Sequence, residues 1–437
     1  MTADQKILST QGYRGTRDFF PDNQRVRNYI YKHIHTVMHQ FGYEEYQGPI
    51  LEPLELYAAK SSEEIVREQL YSFVDKGQRT LAIRPEMTPT LARMVAQKCK
   101  ELPRPIRWYS IPTCMRFERP QRGRFREFDQ LNVDILGGLS IDEDLEIILT
   151  CVALMNSFGG PKGSFEVLIN HRGVVNDFLY RVLQIPETHK SAMMRLLDKR
   201  DKMTAEEFTI EGQKLELTEL QLTQLELFLS SNLEQAQKLL GEHQEHIGQL
   251  IKRFEILSQV IDPQYLKFSP GIMRGFEYYT GLVFEIFDTA PENRRALFGG
   301  GRYDNLLESF GVDSLPGVGY GVSDVALINY LEVHKLIPDL KKQTDICVVR
   351  FSEADRVASL QLADELRKLN LNIETCVTAT KFGKQIQAAE RNGARAIAFR
   401  GDDELKNNTF SVKWLDTGAQ EIFSMNDIEK IKNKFNL

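Results

Sequence analysis

The stretch RFERPQRGRFREF, residues 116–128, places five arginines in thirteen positions of a 437-residue chain whose formal net charge is −6. Arg116, Glu118 and Arg124 are interleaved here with aromatic residues such as Phe128. Guanidinium groups bind phosphate oxygens through paired hydrogen bonds and stack on aromatic rings, and a carboxylate accepts a hydrogen bond from an exocyclic amine. This pattern predicts a site for a nucleoside triphosphate, with a solvated charged loop as the alternative.

Two β-rich runs flank these arginines and predict the hairpin that must position them. The runs cover residues 106–119 and 125–138, and the residues PQRGR join them. Because successive side chains of a strand point to opposite faces, Gln130, Asn132 and Asp134 should share one face of the second strand. Three polar side chains are thus predicted to lie together near the arginines.

A further group of polar residues lies in TLAIRPEMTPTLARMVAQ, residues 80–97. The pattern predicts a strand, a turn at Pro85 and a helix that begins near Thr88 or Pro89. Before it, residues 23–42 have the apolar spacing of a helix. A helix and a strand–turn–helix unit are therefore expected to precede the hairpin.

The composition of the chain changes twice and indicates two domains. Residues from about 171 to 262 are rich in Leu, Gln, Glu and Lys and predict a helical insertion between β-rich segments. After about residue 335, strands and helices alternate, which predicts a separate domain with a small, mostly parallel sheet. We expect an α+β domain on a mixed, mainly antiparallel sheet over 1–335 and an α/β domain over 342–437.

Several classes of protein are disfavoured by the sequence. The apolar runs are too short for a membrane span, and the polar N-terminus lacks the apolar core of a signal peptide. Five scattered cysteines without a CxxC pair argue against a zinc site or a disulfide framework. No GxxxxGK[ST] occurs, and GVGYG at 317–321 does not have the GxGxxG spacing. We expect a cytoplasmic protein with no membrane segment and no metal held by its side chains.

Six motifs resemble, in the expected order, those of the histidyl-tRNA synthetases, a family of class II aminoacyl-tRNA synthetases. MRFERPQRGRFREFDQLNVDILG resembles motif 2, and YQGPILEP resembles motif 1. IRPEMTPTLAR is similar to the amino-acid loop, MRGFEYYTGLVFE and FGGGRYDNLL to the two histidine signatures, and GYRGTRDFFP to the N-terminal motif. The tail from about residue 342 resembles the anticodon-binding domain. The resemblance covers essentially the whole chain and implies the class II synthetase fold.

The resemblance implies a histidine–tRNA ligase, which activates L-histidine with ATP and transfers it to the 3′ end of tRNA(His). ATP is then a substrate that brings Mg²⁺ with it, and motif 1 implies a homodimer. The alternative is a catalytically silent paralogue that senses histidine or tRNA. The known regulatory subunit of that kind lacks the anticodon-binding domain, whereas the α/β tail is present here.

For the nucleotide, the resemblance implies a role for each of five residues. Arg116 would bridge the histidine carboxylate and the α-phosphate, and Arg274 would be a fixed cation on the α-phosphate. Glu118 would accept a hydrogen bond from the adenine amino group, and Phe128 would stack on the base. Arg124 would reach the β- and γ-phosphates. The two catalytic residues implied are therefore Arg116 and Arg274.

For the amino acid, the resemblance implies a set of residues that overlaps with the first. Glu86 and Thr88, with Gln130, would bind the α-ammonium group, and the imidazole would lie against Tyr278 and Tyr279. The whole set consists of Glu86, Met87, Thr88, Arg116, Gln130, Asp134, Arg274, Tyr278 and Tyr279.

Motif 3 departs from the pattern of the family. The family has a Glu-Arg pair whose arginine binds the γ-phosphate, but the matching stretch GVGYGVSDVALINYLE places that pair at Val325 and Ala326. Asp324 is the nearest charged residue. Either another cation, such as Arg124 or a second Mg²⁺, takes the role, or catalysis is impaired.

Overall fold

The computed structural model divides the chain into two compact units, between Ile337 and Pro338. The structure describes residues 8–59, 61, 65–121, 123–138, 140–198, 200, 203–272, 279–293, 295–377 and 381–435. Within these ranges, no helix is both long enough and apolar enough to cross a lipid bilayer.

Two sheets form the framework of the first unit. Its strands are β1 (Glu44–Glu45), β2 (Leu51–Pro53), β3 (Tyr71–Val74), β4 (Thr80–Ile83), β5 (Ile106–Ser110), β6 (Thr113–Met115), β7 (Glu127–Leu136), β8 (Phe165–His171), β9 (Leu266–Phe268), β10 (Leu282–Asp288), β11 (Ala296–Tyr303) and β12 (Gly317–Ser323). The larger sheet has the order β1–β5–β7–β12–β11–β10–β8–β9, with β6 paired to β7, and the smaller has the order β2–β4–β3. Only the β1–β5 and β8–β9 pairs are parallel among the described strands of this unit. The mixed, mainly antiparallel sheet that the sequence predicts is thus confirmed.

Helices cover one face of the larger sheet. The helices of the first unit are α1 (Pro21–Gln40), α2 (Leu54–Ala58), α3 (Thr88–Gln97), α4 (Ile141–Ser157), α5 (Arg172–Asn176), α6 (Lys190–Asp198), α7 (Ala205–Lys214), α8 (Glu219–Leu229), α9 (Leu233–Leu239), α10 (Glu245–Val260) and α11 (Asp324–Val333). Leu131 and Val133 of β7 belong to the main hydrophobic cluster together with Ile30 of α1 and Ile147 of α4. Since β7 alternates, its even-numbered side chains point to the other face, which holds the site.

The segment between β8 and β9 contains α5 to α10, where the sequence predicts a helical insertion over about 171–262. Thr204, Thr218 and Asn232 cap α7, α8 and α9, and each forms a reciprocal capping box with the residue three positions later. These caps satisfy backbone N–H groups that the first turn of a helix leaves unpaired. Local sequence signals therefore define the starts of these three helices.

A buried carboxylate attaches this helical segment to the sheet. Asp144 of α4 is wholly buried. Its Oδ2 lies 2.6 Å from Nη2 of Arg253 in α10, and its Oδ1 lies 2.8 Å from Nη2 of Arg302 in β11. Two guanidinium partners offset the cost of removing the carboxylate from water. The pairings connect α10 with β11 through α4.

The second unit is an α/β structure with a five-stranded sheet, counted over its described residues. Its elements are β13 (Thr344–Val348), α12 (Arg356–Lys368), β14 (Ile373–Thr375), α13 (Phe382–Arg391), β15 (Ala394–Phe399), α14 (Asp402–Lys406), β16 (Thr409–Trp414) and β17 (Gln420–Ser424), followed by 3₁₀ turns over Met425–Lys434. The strand order is β14–β13–β15–β16–β17. The β13–β14 and β13–β15 pairs are parallel, whereas the β15–β16 and β16–β17 pairs are antiparallel. The expectation of a mostly parallel sheet was wrong, because the last two connections are too short for the crossover that parallel strands need.

Candidate active site

A polar cavity lies on the face of the larger sheet that carries the even-numbered side chains of β7. It is lined by Glu86, Thr88, Arg116, Gln130, Asn132, Asp134, Tyr279, Gly299, Tyr303, Gly319, Tyr320 and Gly321. Half of these residues are ones to which the family resemblance gives a role. The structure thus brings residues from α3, β7, β11 and β12 and from the loop after β6 to one place.

Glycines of β12 leave room for the polar side chains of β7. Gly319 lies directly opposite Asp134, and a Cβ at Gly319 would be 2.2 Å from Oδ1 of that carboxylate. A Cβ at Gly321 would be 2.9 Å from Nε2 of Gln130. Only glycine lets a polar side chain lie so close to a neighbouring backbone. The wall of the cavity on this side is therefore made of peptide backbone.

Asp134 is the most strongly perturbed acid of the cavity. Its side chain is buried, and Oδ1 accepts a hydrogen bond from the Tyr303 hydroxyl. Oδ2 is also buried and has no hydrogen-bond partner within the described part of the chain. Burial raises the pKa of Asp134 to about 7, although the hydrogen bond from Tyr303 opposes the rise. A buried acceptor without a protein partner calls for a donor from a ligand, an ordered water or an ion.

Opposite charges meet at the other end of the cavity. Glu86 is buried and accepts a hydrogen bond from Ser61. Burial raises the pKa of Glu86, while the charge of Arg116 and the hydrogen bond from Ser61 oppose the rise. Nε of Arg116 donates to the Pro85 carbonyl at 2.9 Å, which fixes the guanidinium. With Thr88 at the first position of α3, these groups can bind the ammonium and carboxylate of an amino acid.

Three residues of the implied histidine set do not have a described side chain at the cavity. Met87 is completely buried and packs with Leu91 in a hydrophobic cluster, so its side chain belongs to the core and not to the lining of the cavity. Arg274 and Tyr278 lie outside the described residues. Tyr279 is described, is buried, and lines the cavity.

Four of the five residues implied for the nucleotide lie on the β6–β7 hairpin, and the fifth, Arg274, lies outside the described residues. The Arg116 guanidinium lies over the Phe128 ring, 5.4 Å from its centroid. Phe128 packs with Val325 in a small hydrophobic cluster. The Arg124 side chain is 59% exposed, and its Nη1 lies 3.4 Å from Oε2 of Glu118. The hairpin thus places an aromatic ring, an exposed cation and an acceptor close together.

At the start of α11, Asp324 lies next to the motif 3 positions Val325 and Ala326 and forms an ion pair with Arg17. Asp324 is buried, and its carboxylate accepts from Nη2 of Arg17 at 2.9 and 3.1 Å and from the backbone N–H of Asp129 at 3.1 Å. Burial raises the pKa of Asp324, and Arg17 opposes the rise. The position next to Val325 thus carries an acid, and an arginine from the N-terminal segment is paired with it.

Tyr303 and the β12 glycines are cavity residues that the sequence analysis did not assign. Tyr303 belongs to the FGGGRYDNLL signature, and that signature could have indicated it. The alternate glycines of GVGYG served only to exclude a dinucleotide site. Glycine at every second strand position indicates a close approach to that strand, which is the signal that could have found them.

Comparison with protein-family models gives two matches. A model of histidyl-tRNA synthetase matches residues 15–326, and a model of an anticodon-binding domain matches residues 345–434. A crystal structure of histidyl-tRNA synthetase from Nostoc sp. PCC 7120 is similar in fold, with a TM-score of 0.82 over 98% of this chain and 100% of that one. At 23% identity, that similarity concerns the fold alone.

Curated relatives are more similar in sequence. A histidine–tRNA ligase of Leptospira biflexa is 41% identical over 432 residues, which cover 98% of this chain and 99% of the relative. The chloroplastic/mitochondrial histidine–tRNA ligase of Arabidopsis thaliana is 33% identical over 97% of this chain and 87% of the relative. On this evidence the chain belongs to the histidyl-tRNA synthetase family of aminoacyl-tRNA synthetases.

Proposed function

We propose that this chain is a histidine–tRNA ligase, which forms histidyl-adenylate from L-histidine and ATP and transfers the histidyl group to tRNA(His). The observation that carries the proposal is the buried, unpartnered Oδ2 of Asp134 in a cavity that also contains Glu86 and Arg116. An imidazole N–H matches this acceptor. Glu86 and Arg116 match the two charged ends of the amino acid.

Selection of histidine would rest on polar groups that other amino acids leave unpaired. The Tyr303 hydroxyl holds one oxygen of Asp134, so the second oxygen has a fixed position for the imidazole. Tyr278 and Tyr279 would lie against the ring. A site built to pair with a polar group of its substrate rejects an analogue without that group by about 10⁴-fold.

In the first step, an oxygen of the histidine carboxylate attacks the α-phosphorus, and the bond to the pyrophosphate oxygen breaks. Such a transfer depends on positioning and on neutralising charge. Arg116 and Arg274 would stabilise the charge that develops on the α-phosphate. Phe128 and Glu118 would hold the adenine, Arg124 would bind the terminal phosphates, and Mg²⁺ would arrive as part of the ATP substrate.

In the second step, the acyl group passes to the 3′ end of tRNA(His), and the second unit would bind the anticodon region. The match of residues 345–434 to an anticodon-binding domain supports this role. The curated relatives named as histidine–tRNA ligases support the ligase over the regulatory alternative. A role in translation also agrees with the cytoplasmic location that the sequence predicts.

A homodimer through motif 1 is also part of the proposal. Ile50 and Leu51, at β2, and Phe73 and Val74, in β3, are exposed. They belong to or adjoin the same small sheet, and exposed apolar groups on one sheet are typical of protein interfaces. Light scattering at micromolar concentration should give the mass of a dimer, and the mass of a monomer would contradict this part.

The decisive experiment is pyrophosphate exchange with each of the twenty amino acids. Histidine alone should support exchange, and Asp134→Ala should raise the KM for histidine by about 10²-fold or more. Glu234→Gln, which alters an exposed acid in α9, is the matched control and should behave as the parent. Absence of histidine-dependent exchange in the parent protein would refute the proposed function.

A further inference from the structure

The N-terminal strap, residues 13–17, lies against the β6–β7 hairpin. The Gly15 carbonyl accepts hydrogen bonds from the backbone N–H groups of Arg126, at 2.8 Å, and Glu127, at 3.4 Å. Gly15 has a φ of +93°, and a Cβ there would be 2.8 Å from the Arg126 side chain and 3.0 Å from Pro120. Glycine is therefore required where the strap meets the hairpin.

Among the described residues, the Arg126 side chain makes three hydrogen bonds to protein atoms, whereas that of the more exposed Arg124 makes one, to Glu118. Its Nη1 donates to the Tyr13 hydroxyl at 2.7 Å and to the Arg14 carbonyl at 3.3 Å, and its Nε donates to the Glu118 carbonyl at 3.1 Å. The guanidinium also lies 4.1 Å from the centroid of the Phe117 ring. One side chain thus joins the strap to both sides of the hairpin loop.

The other end of the strap is attached to α11. Arg17 pairs with Asp324, and its guanidinium lies 5.0 Å from the centroid of the Phe125 ring. Asp324 in turn accepts from the backbone of Asp129 in β7. The hairpin is therefore held at its outer part through Arg126 and at its base through Arg17.

We propose that the strap is a positioning element for the nucleotide, and that Arg126 and Arg17 are positioning residues that do not touch the substrate. The inference rests on the proposed function. Hairpin residues that must meet the adenine and the phosphates, Glu118 among them, are ordered by the strap before ATP arrives. Ordering a loop in advance removes an entropic cost from binding. Loss of the strap contacts should therefore weaken the binding of ATP more than the binding of histidine.

The test is pyrophosphate exchange by Arg126→Lys and Tyr13→Phe, with ATP and histidine titrated separately. Arg126→Lys cannot reproduce three directed donors, and the KM for ATP should rise about 10- to 100-fold while the KM for histidine changes little. Tyr13→Phe keeps the ring and removes the hydroxyl, which accepts from Arg126 and lies 3.3 Å from the Tyr71 hydroxyl, and it should raise the KM for ATP about 3- to 10-fold. Because the two changes share the hydrogen bond between Arg126 and Tyr13, their effects on the KM for ATP should be less than additive in the double variant.

Arg200→Lys is the matched control, since Arg200 also lies over an aromatic ring, Phe208 at 4.9 Å, but in the helical segment. It should leave both KM values unchanged. If Arg126→Lys does not fold, the KM values of Tyr13→Phe for ATP and histidine test the inference. An unchanged KM for ATP, or equal rises for ATP and histidine, would overturn the inference. Absence of exchange in the parent protein would instead refute the proposed function, so the two failures are distinguishable.

Discussion

Replacing Asp134 by asparagine should make the protein more stable at alkaline pH, although it removes a group expected to bind substrate. Burial raises the pKa of this carboxyl to about 7 from an ordinary value of 3.8. Between these values, the folded state keeps a proton that the unfolded state releases, so stability falls as pH rises and the full penalty is present above pH 7. At about 1.36 kcal/mol for each pH unit, the penalty is about 4 kcal/mol.

The measurement is the free energy of unfolding of Asp134→Asn minus that of the parent, from urea titrations between pH 4 and pH 8. Asparagine has nearly the same shape and does not ionise, and all other titrating groups are common to both proteins and cancel. The difference should rise by about 4 kcal/mol in favour of the variant across this range. A constant offset from altered hydrogen bonding does not affect the slope.

Tyr303→Phe provides the control for this reasoning. The hydroxyl of Tyr303 stabilises the charged form of Asp134, so its removal should move the pH-dependent change to higher pH. A difference between Asp134→Asn and the parent that stays flat from pH 4 to pH 8 would show that Asp134 ionises as it does in water. The conclusion that a buried carboxyl group with one unpaired oxygen awaits a donor would then be refuted.

Three further outcomes follow from the same geometry. Gly319→Ala places a Cβ 2.2 Å from the Asp134 carboxylate, so the KM for histidine should rise at least tenfold with little change for ATP, as steady-state exchange would show. Asp144→Asn removes the carboxylate that pairs with the buried Arg253 and leaves Arg302 with the longer contacts to Glu143 and Asp304. It should cost about 3–5 kcal/mol in urea unfolding, whereas a cost below 1 kcal/mol would contradict its role. A chain that ends at Ile337 should keep histidine-dependent exchange and lose tRNA charging, and loss of exchange by a folded truncation would contradict this division of labour.

The polar face of β7 could be predicted from the sequence because strand alternation is a local property. Gln130, Asn132 and Asp134 share the cavity as their spacing predicts. The contact between Tyr303 and Asp134 could not be predicted in this way, because it depends on β12 lying between β7 and β11. Strand order in a sheet is set by tertiary packing, which single-residue patterns do not encode.

The pairing of Arg17 with Asp324 could not be predicted from the sequence for a related reason. The two residues are 307 positions apart, and each alone resembles an ordinary surface charge. The missing arginine of motif 3 was visible as a gap in a pattern. Only the folded structure shows that Asp324, the buried acid beside that gap, pairs with Arg17.

The backbone wall of the cavity has a consequence for inhibitors. Peptide groups at Gly319 and Gly321 have no rotamers that could change. A larger residue at Gly319 would collide with Asp134 and with the Val133 carbonyl, and one at Gly321 would displace Gln130. Substitutions at these glycines would therefore not give resistance to a tight-binding histidine mimic without disturbing the cavity itself. Resistance would have to alter the polar groups that select the substrate, and a cell that acquired such a change would lose charged tRNA together with the drug.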